Sequence, residues 1–113
     1  MQDIHAQLRF LPLSAQKVRL IVDMVRGKNA NDALEMLRFV TKRGADPVRK
    51  LLASAVSNAE ENFGVSRDDL YVAKIFADEA PTRRWRRFGA RGRFKPILRR
   101  TSHVTVILRE RGA

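Results

Sequence analysis

Cysteine is absent from all 113 residues, which excludes a disulfide framework, thiolate catalysis and Cys-ligated metal together. Histidine is scarce, with only His5 and His103, and the chain holds no Gly-rich phosphate loop, no GxSxG string and no His/Cys metal spacing. No window approaches the roughly 18 apolar residues that a membrane span requires. The opening MQDIHAQLRF lacks the charged region and apolar run of a signal peptide. The expectation is a cytoplasmic protein, or an organellar one whose transit peptide has been removed. The most informative absence is local. From Pro81 to Arg100 the chain reads PTRRWRRFGARGRFKPILRR, without one acidic residue.

That segment carries nine of the 23 Lys and Arg, leaving 14 to face all 12 Asp and Glu elsewhere. The net charge of +11 is therefore concentrated in one place. A one-sign run repels itself and needs a partner of opposite charge to hold it. With a pI near 11.4, the candidate polyanions are nucleic acid and an acidic lipid surface. A membrane-surface segment needs an apolar face opposite its charge, and here no five consecutive residues are apolar. RNA is favoured over DNA, because neither a helix-turn-helix signature nor zinc spacing is present and an irregular arm suits irregular RNA.

A chain of this length buries roughly 60 to 70 % of its unfolded surface, enough for one domain. Ile4, Ala6, Leu8 and Phe10 alternate with His5, Gln7 and Arg9, which predicts a half-buried strand ended by Pro12. Ser14 can cap a helix over residues 15–26 with the stripe Val18, Ile21, Val22 and Val25, and Gly27 can stop it. A second helix is expected from Asn29 or Asn31, with Ala30, Ala33, Leu34, Leu37 and Val40 on its inner face. Asp46 followed by Pro47 signals the start of a third, whose buried face is Val48, Leu51, Leu52, Ala55, Val56 and Ala59. Residues 70–77 and 104–108 are rich in aromatic and β-branched residues and flank the basic run, so antiparallel pairing is expected. The predicted fold class is α+β: a three-stranded antiparallel sheet packed with three helices, with a long protruding β-hairpin. Residues 1–113 form a single domain and 81–100 an extended basic arm within it. Arms of about ten residues would reach on the order of 33 Å if the strands continue past the body.

Arg83, Arg84, Arg86, Arg87, Arg91, Arg93, Lys95, Arg99 and Arg100 supply the charge of that arm. Arginine outnumbers lysine eight to one there, and a guanidinium both contacts phosphate in bidentate fashion and stacks on bases. Trp85, Phe88 and Phe94 are interleaved among the cations. They suit stacking on exposed bases, the alternative being mutual packing across the hairpin. Gly89, Ala90, Arg91 and Gly92 form the tip, where two glycines permit a positive φ. Ser14, Lys17 and Arg19 cluster at the first helix start, where amide groups and the dipole favour a phosphate; the alternative is a merely solvated face. Lys28, Lys42 and Arg43 lie in helix connections and can extend the footprint. For catalysis the candidates reduce to His5, His103 and the pair Asp78 and Glu79, and adjacent strand residues point to opposite faces. A structural role at the root of the arm fits them better than a nuclease site, and no cofactor is expected.

SAQKVRLIVDMVRGK at Ser14 to Lys28, LLASAVSNAEEN at Leu51 to Asn62, DLYVAKIFADEAP at Asp69 to Pro81 and RTSHVTV at Arg100 to Val106 together resemble the bacterial large-subunit ribosomal protein L twenty-two family. The likeness runs from about Leu8 to Arg109. It implies an α+β body on the outer surface of the large subunit near the peptide tunnel exit, with the hairpin threading inward through large-subunit ribosomal RNA. By the same resemblance, Ser14, Lys17 and Arg19, together with Arg100, Thr101, Ser102 and His103, contact the RNA. Phe88 to Gly92 line the tunnel, with Arg91 facing it. Neighbouring ribosomal proteins and the nascent peptide are further implied partners, and subunit assembly is the implied role. A free RNA chaperone or regulatory RNA binder is the alternative function. The chain departs from the family pattern at Ala80, where glycine is usual, at Phe88-Gly89, where Pro-Arg is common, and at Phe94, where a small residue is typical.

Overall fold

The structure, a computed structural model, describes residues 3–81, 83–88 and 94–111. Three helices and a three-stranded antiparallel sheet build the body, and a separate two-stranded ribbon follows from it. The elements run β1 (Ile4–Leu11), α1 (Ala15–Val25), α2 (Ala30–Arg38), α3 (Ala45–Phe63), β2 (Leu70–Glu79), β3 (Arg83–Phe88), β4 (Phe94–Arg99) and β5 (Ser102–Glu110). The sheet order is β1-β5-β2, so the last strand lies between the first two. Its radius of gyration is 17.2 Å, against about 13 Å for a compact chain of this length. The principal extents of 64 × 25 × 18 Å show the cause, a ribbon projecting from one end.

One sheet face carries Ile4, Val72, Ile75, Ala77, Val104, Val106 and Leu108 into the core. Against them pack Val18, Ile21, Val22 and Val25 of α1, Leu37 of α2, and Val48, Leu52, Ala55, Val56 and Ala59 of α3. The opposite face, with His5, Gln7, Phe76, Asp78, His103 and Thr105, has no covering layer among the described residues. β2 is an edge strand, and its outer carbonyls are covered locally. Arg19 Nε donates to Ala77 O at 3.1 Å and Arg26 Nη2 to Ile75 O at 2.7 Å. Gly27 N donates to Val72 O, and Val72 N to Lys28 O, both at 2.9 Å. Covering an edge in this way prevents strand addition.

The structure changes four sequence expectations. α1 ends at Val25, because Arg26 is already extended and Gly27 takes φ +79°. α2 ends at Arg38, which leaves Val40 half-buried outside the helix. α3 starts at Ala45, one residue before Asp46, with Gly44 as its cap. A Cβ on Gly44 would stand 2.7 Å from Ile21 Cδ1, so glycine lets the turn close onto α1. Asp46 then sits in the first turn, 3.6 Å from Arg49, and Pro47 remains where its missing N–H costs nothing. Finally, the expected alternation of β1 fails at Phe10, which is 58 % exposed while Leu11 enters the core. The register explains it: Leu8 pairs with Val104 and Leu11 with Ser102, so Arg9 and Phe10 together oppose His103 in a β-bulge.

Candidate nucleic-acid interface

The arm is built on the β2 and β5 pair. Glu79 opposes Ser102, then Arg83 opposes Arg99, so three residues on one side (80–82) face two on the other (100–101). The ladder of the body does not run unbroken into that of the arm. Pro81 has no N–H for the ladder and is accommodated in this irregular root. Ala80 N donates to Thr101 O at 3.0 Å, and Thr101 Oγ1 donates to Pro81 O at 3.1 Å, which ties the two sides together. Beyond it β3 and β4 pair residue for residue from Arg83–Arg99 to Phe88–Phe94. The pairings put Arg83 opposite Arg99 and Arg87 opposite Lys95. Like charges opposite each other in a ladder destabilise it. Thr82 and the tip residues Gly89, Ala90, Arg91, Gly92 and Arg93 lie outside the described residues.

The body is nearly neutral in total but polar along its length. β1 ends, and β2 leads out, at the arm; β5 starts there. α1 begins there too, directly after β1. α3 runs from the arm end to the far end, as α1 does, because its last turn joins Glu60 to Arg67 at 2.7 Å just before β2 begins there. Two helix N-termini therefore face the arm end, where the partial positive charge favours anions. Arg9, Lys17, Lys42, Arg43 and Arg100 are exposed at the same end. Asp3, Asp32, Glu60, Glu61, Asp68, Asp69 and Glu110 collect at the other. There they are partly neutralised: Arg109 Nε donates to Asp3 Oδ1 at 2.6 Å, and Asn31 Nδ2 donates to Asp68 Oδ1 at 2.7 Å. The hydrogen bond from Arg109 holds the Asp3 carboxyl below its ordinary range, and that from Arg67 does the same for Glu60.

The sequence-derived residues fall unevenly on this frame. Ser14 caps α1, its Oγ accepting from Lys17 N at 3.4 Å, and Lys17 is exposed beside it. Arg19 uses its Nε on Ala77 O, which leaves its terminal nitrogens for a ligand. Lys42 lies at the arm end, whereas Lys28 lies at the far end, bonded through its carbonyl to Val72 N. Arg100 is exposed and Thr101 half-buried. Ser102 is fully buried, and its hydroxyl has no hydrogen-bond partner among the described residues. His103 is half-buried, with Nδ1 accepting from Phe10 N at 3.0 Å. Asp78 pairs across the ladder with His103, so the two lie on the same face, as their positions at the arm base suggest. Among the described residues no group of three His, Asp or Glu is placed to hold a metal, and no helix is long and apolar enough to cross a membrane.

Phe10 is the residue missed by sequence periodicity. Its signal was present: Phe10 and Leu11 are consecutive large apolar residues before Pro12, a break in alternation that a bulge resolves. The α+β body, the polarised charge and the basic two-stranded ribbon converge on one family. The chain matches the model of the family described as Ribosomal protein L22p/L17e over residues 6–109 of its 113, and it belongs to that family of structural large-subunit ribosomal proteins.

Proposed function

We propose that the chain binds large-subunit ribosomal RNA through the basic ribbon and the arm end of the body, as a single domain whose residues 81–100 act as an inserted arm. The nine like charges of that arm, with no acidic residue among them and two like-charged pairs, Arg83 with Arg99 and Arg87 with Lys95, set opposite each other in the ladder, are the observation that carries this function. Arg83, Arg84, Arg86, Arg87, Arg93, Lys95 and Arg99 supply phosphate contacts along the arm, with Trp85 stacking. Ser14, Lys17, Arg19, Lys42 and Arg100 extend them onto the body. Thr101 and His103 add hydrogen-bonding groups at the root, Ser102 backs them from the core, and Lys28 reaches a second RNA segment at the far end. The tip, Phe88 to Gly92, lines the nascent-peptide tunnel with Arg91 toward the peptide. Threading the arm through RNA couples the chain to subunit assembly on the cytoplasmic ribosome, beside neighbouring ribosomal proteins.

Sedimentation tests this. The chain is expected to co-sediment with large subunits in moderate salt; a chain that stays in the soluble fraction would instead be a free RNA chaperone or regulatory binder. Divalent-metal-dependent RNA cleavage lost on His103→Ala would overturn the structural role altogether.

A further inference from the structure

The bulge in β1 does more than end a strand. It sets Phe10 in the left-handed region at φ +58°, a conformation that a bulky residue rarely adopts. The backbone N–H freed by the bulge is held by His103 Nδ1 at 3.0 Å, which fixes the ring proton of a neutral His103 on Nε2. The two rings meet edge to face, with centroids 4.7 Å apart and planes at 84°. Regular alternation would bury Phe10; the bulge buries Leu11 in its place and leaves the aromatic ring 58 % exposed beside His103 on the uncovered sheet face. Local backbone conformations of this kind, maintained by surrounding contacts, mark sites that present a side chain to a ligand.

We propose that Phe10 and His103 form a stacking platform for an unpaired RNA base at the root of the arm, an inference that rests on the RNA-binding function proposed above. The surroundings select a base rather than the RNA backbone. Asp78, opposite His103 on the same face, repels phosphate but accepts a hydrogen bond from a base amino group or a 2′-hydroxyl. Exposed Arg9 and Arg100 lie nearest this face along the chain and serve the flanking phosphates. Phe76 stands on the same face two residues before Asp78 and is 39 % exposed, one ladder step away at about 7 Å. A second base can stack there. An uncovered sheet face with aromatic side chains is a recurrent way of holding splayed bases, and continuity with the basic ribbon favours RNA over a protein as its occupant.

The test uses the full chain and a large-subunit ribosomal RNA fragment. Alanine replacement of an aromatic stacked on a base lowers affinity by about 5- to 150-fold, so F10A and F10L are both expected to bind within that range of loss, while F10Y binds like the parent chain. Because stacking neutralises no phosphate, the slope of log K against log salt is expected to stay the same in all three. F10G guards against a folding artefact: glycine accepts the positive φ, so this variant is expected to melt no lower than the parent and yet lose affinity like F10A. F10A and F10G bound as tightly as the parent would remove the platform while leaving RNA binding by the chain intact. F10L binding like F10Y, or a shallower salt slope for F10A, would also overturn stacking. Unchanged RNA affinity with impaired uptake of F10A into subunits reconstituted from purified parts would make the face a protein contact and overturn the RNA platform. If the parent chain fails to bind the RNA, the function proposed above falls first and the platform with it.

Discussion

Replacing residues 81–100 with Asn-Gly should separate folding from RNA binding. The two sides of the root are already joined by the hydrogen bond from Ala80 N to Thr101 O at 3.0 Å, and Asn-Gly supplies the two positive-φ residues that a tight hairpin needs there. Among the described residues every member of the hydrophobic core lies outside the excised segment, so the stability of the body is expected to change by less than about 1 kcal/mol in urea titrations. The replacement removes nine cations. If each meets one phosphate, the slope of log K against log salt flattens by about 6 to 8. A fourfold rise in salt would then weaken the parent roughly 10⁴- to 10⁵-fold more than the truncated chain, from the same relation. Filter binding at several salt concentrations measures both slopes. A truncated chain with the parental slope would show that the body carries the electrostatic footprint. An unfolded one would show that the arm belongs to the folding unit.

Other perturbations report on the body. Leu52→Ala, at 0 % exposure in the middle of α3, should cost about 2–5 kcal/mol in urea unfolding. Ser102→Ala should stabilise the free protein by about 1 kcal/mol, because it removes a buried hydroxyl that lacks a partner; a lower melting temperature would show that the hydroxyl is satisfied. The depressed pKa of Asp3, caused first by the hydrogen bond from Arg109, makes its ionised form stabilising above its ordinary value of 3.8. That contribution is lost as the pH falls below 3.8 towards the lowered folded value, so Asp3→Asn should flatten this limb of the stability–pH curve. An acid limb as steep in the variant would exclude the Asp3–Arg109 pair as its cause.

The three helices, the three body strands and the basic hairpin were legible because each rests on a local pattern. Val18 to Val25 repeat at helical spacing, as do Val48 to Ala59, and residues 70–77 and 104–108 bracket a run that no folded body could absorb. Helix ends were less legible. Asp46-Pro47 is a sound start signal in isolation, but the helix begins at Ala45, with Gly44 as its cap close against Ile21. The candidate site divides in the same way. Arg19 reads as a phosphate ligand in the sequence, and only the packing of β2 against it shows that its Nε is given to Ala77 O.

Composition and spacing alone determined that the chain carries its charge on one projecting hairpin, since a one-sign run cannot be buried and its flanking strands must pair. Tertiary structure decided everything that depends on which residues meet across long sequence separations. It placed two helix N-termini at the arm end and seven of the twelve acidic residues at the other, because antiparallel packing reverses alternate elements. It also set His103 opposite Phe10, 93 positions apart in the chain, because one extra residue in β1 shifted the register and turned an aromatic ring outward. Register is a property of two strands together, so neither strand's own sequence could specify that contact.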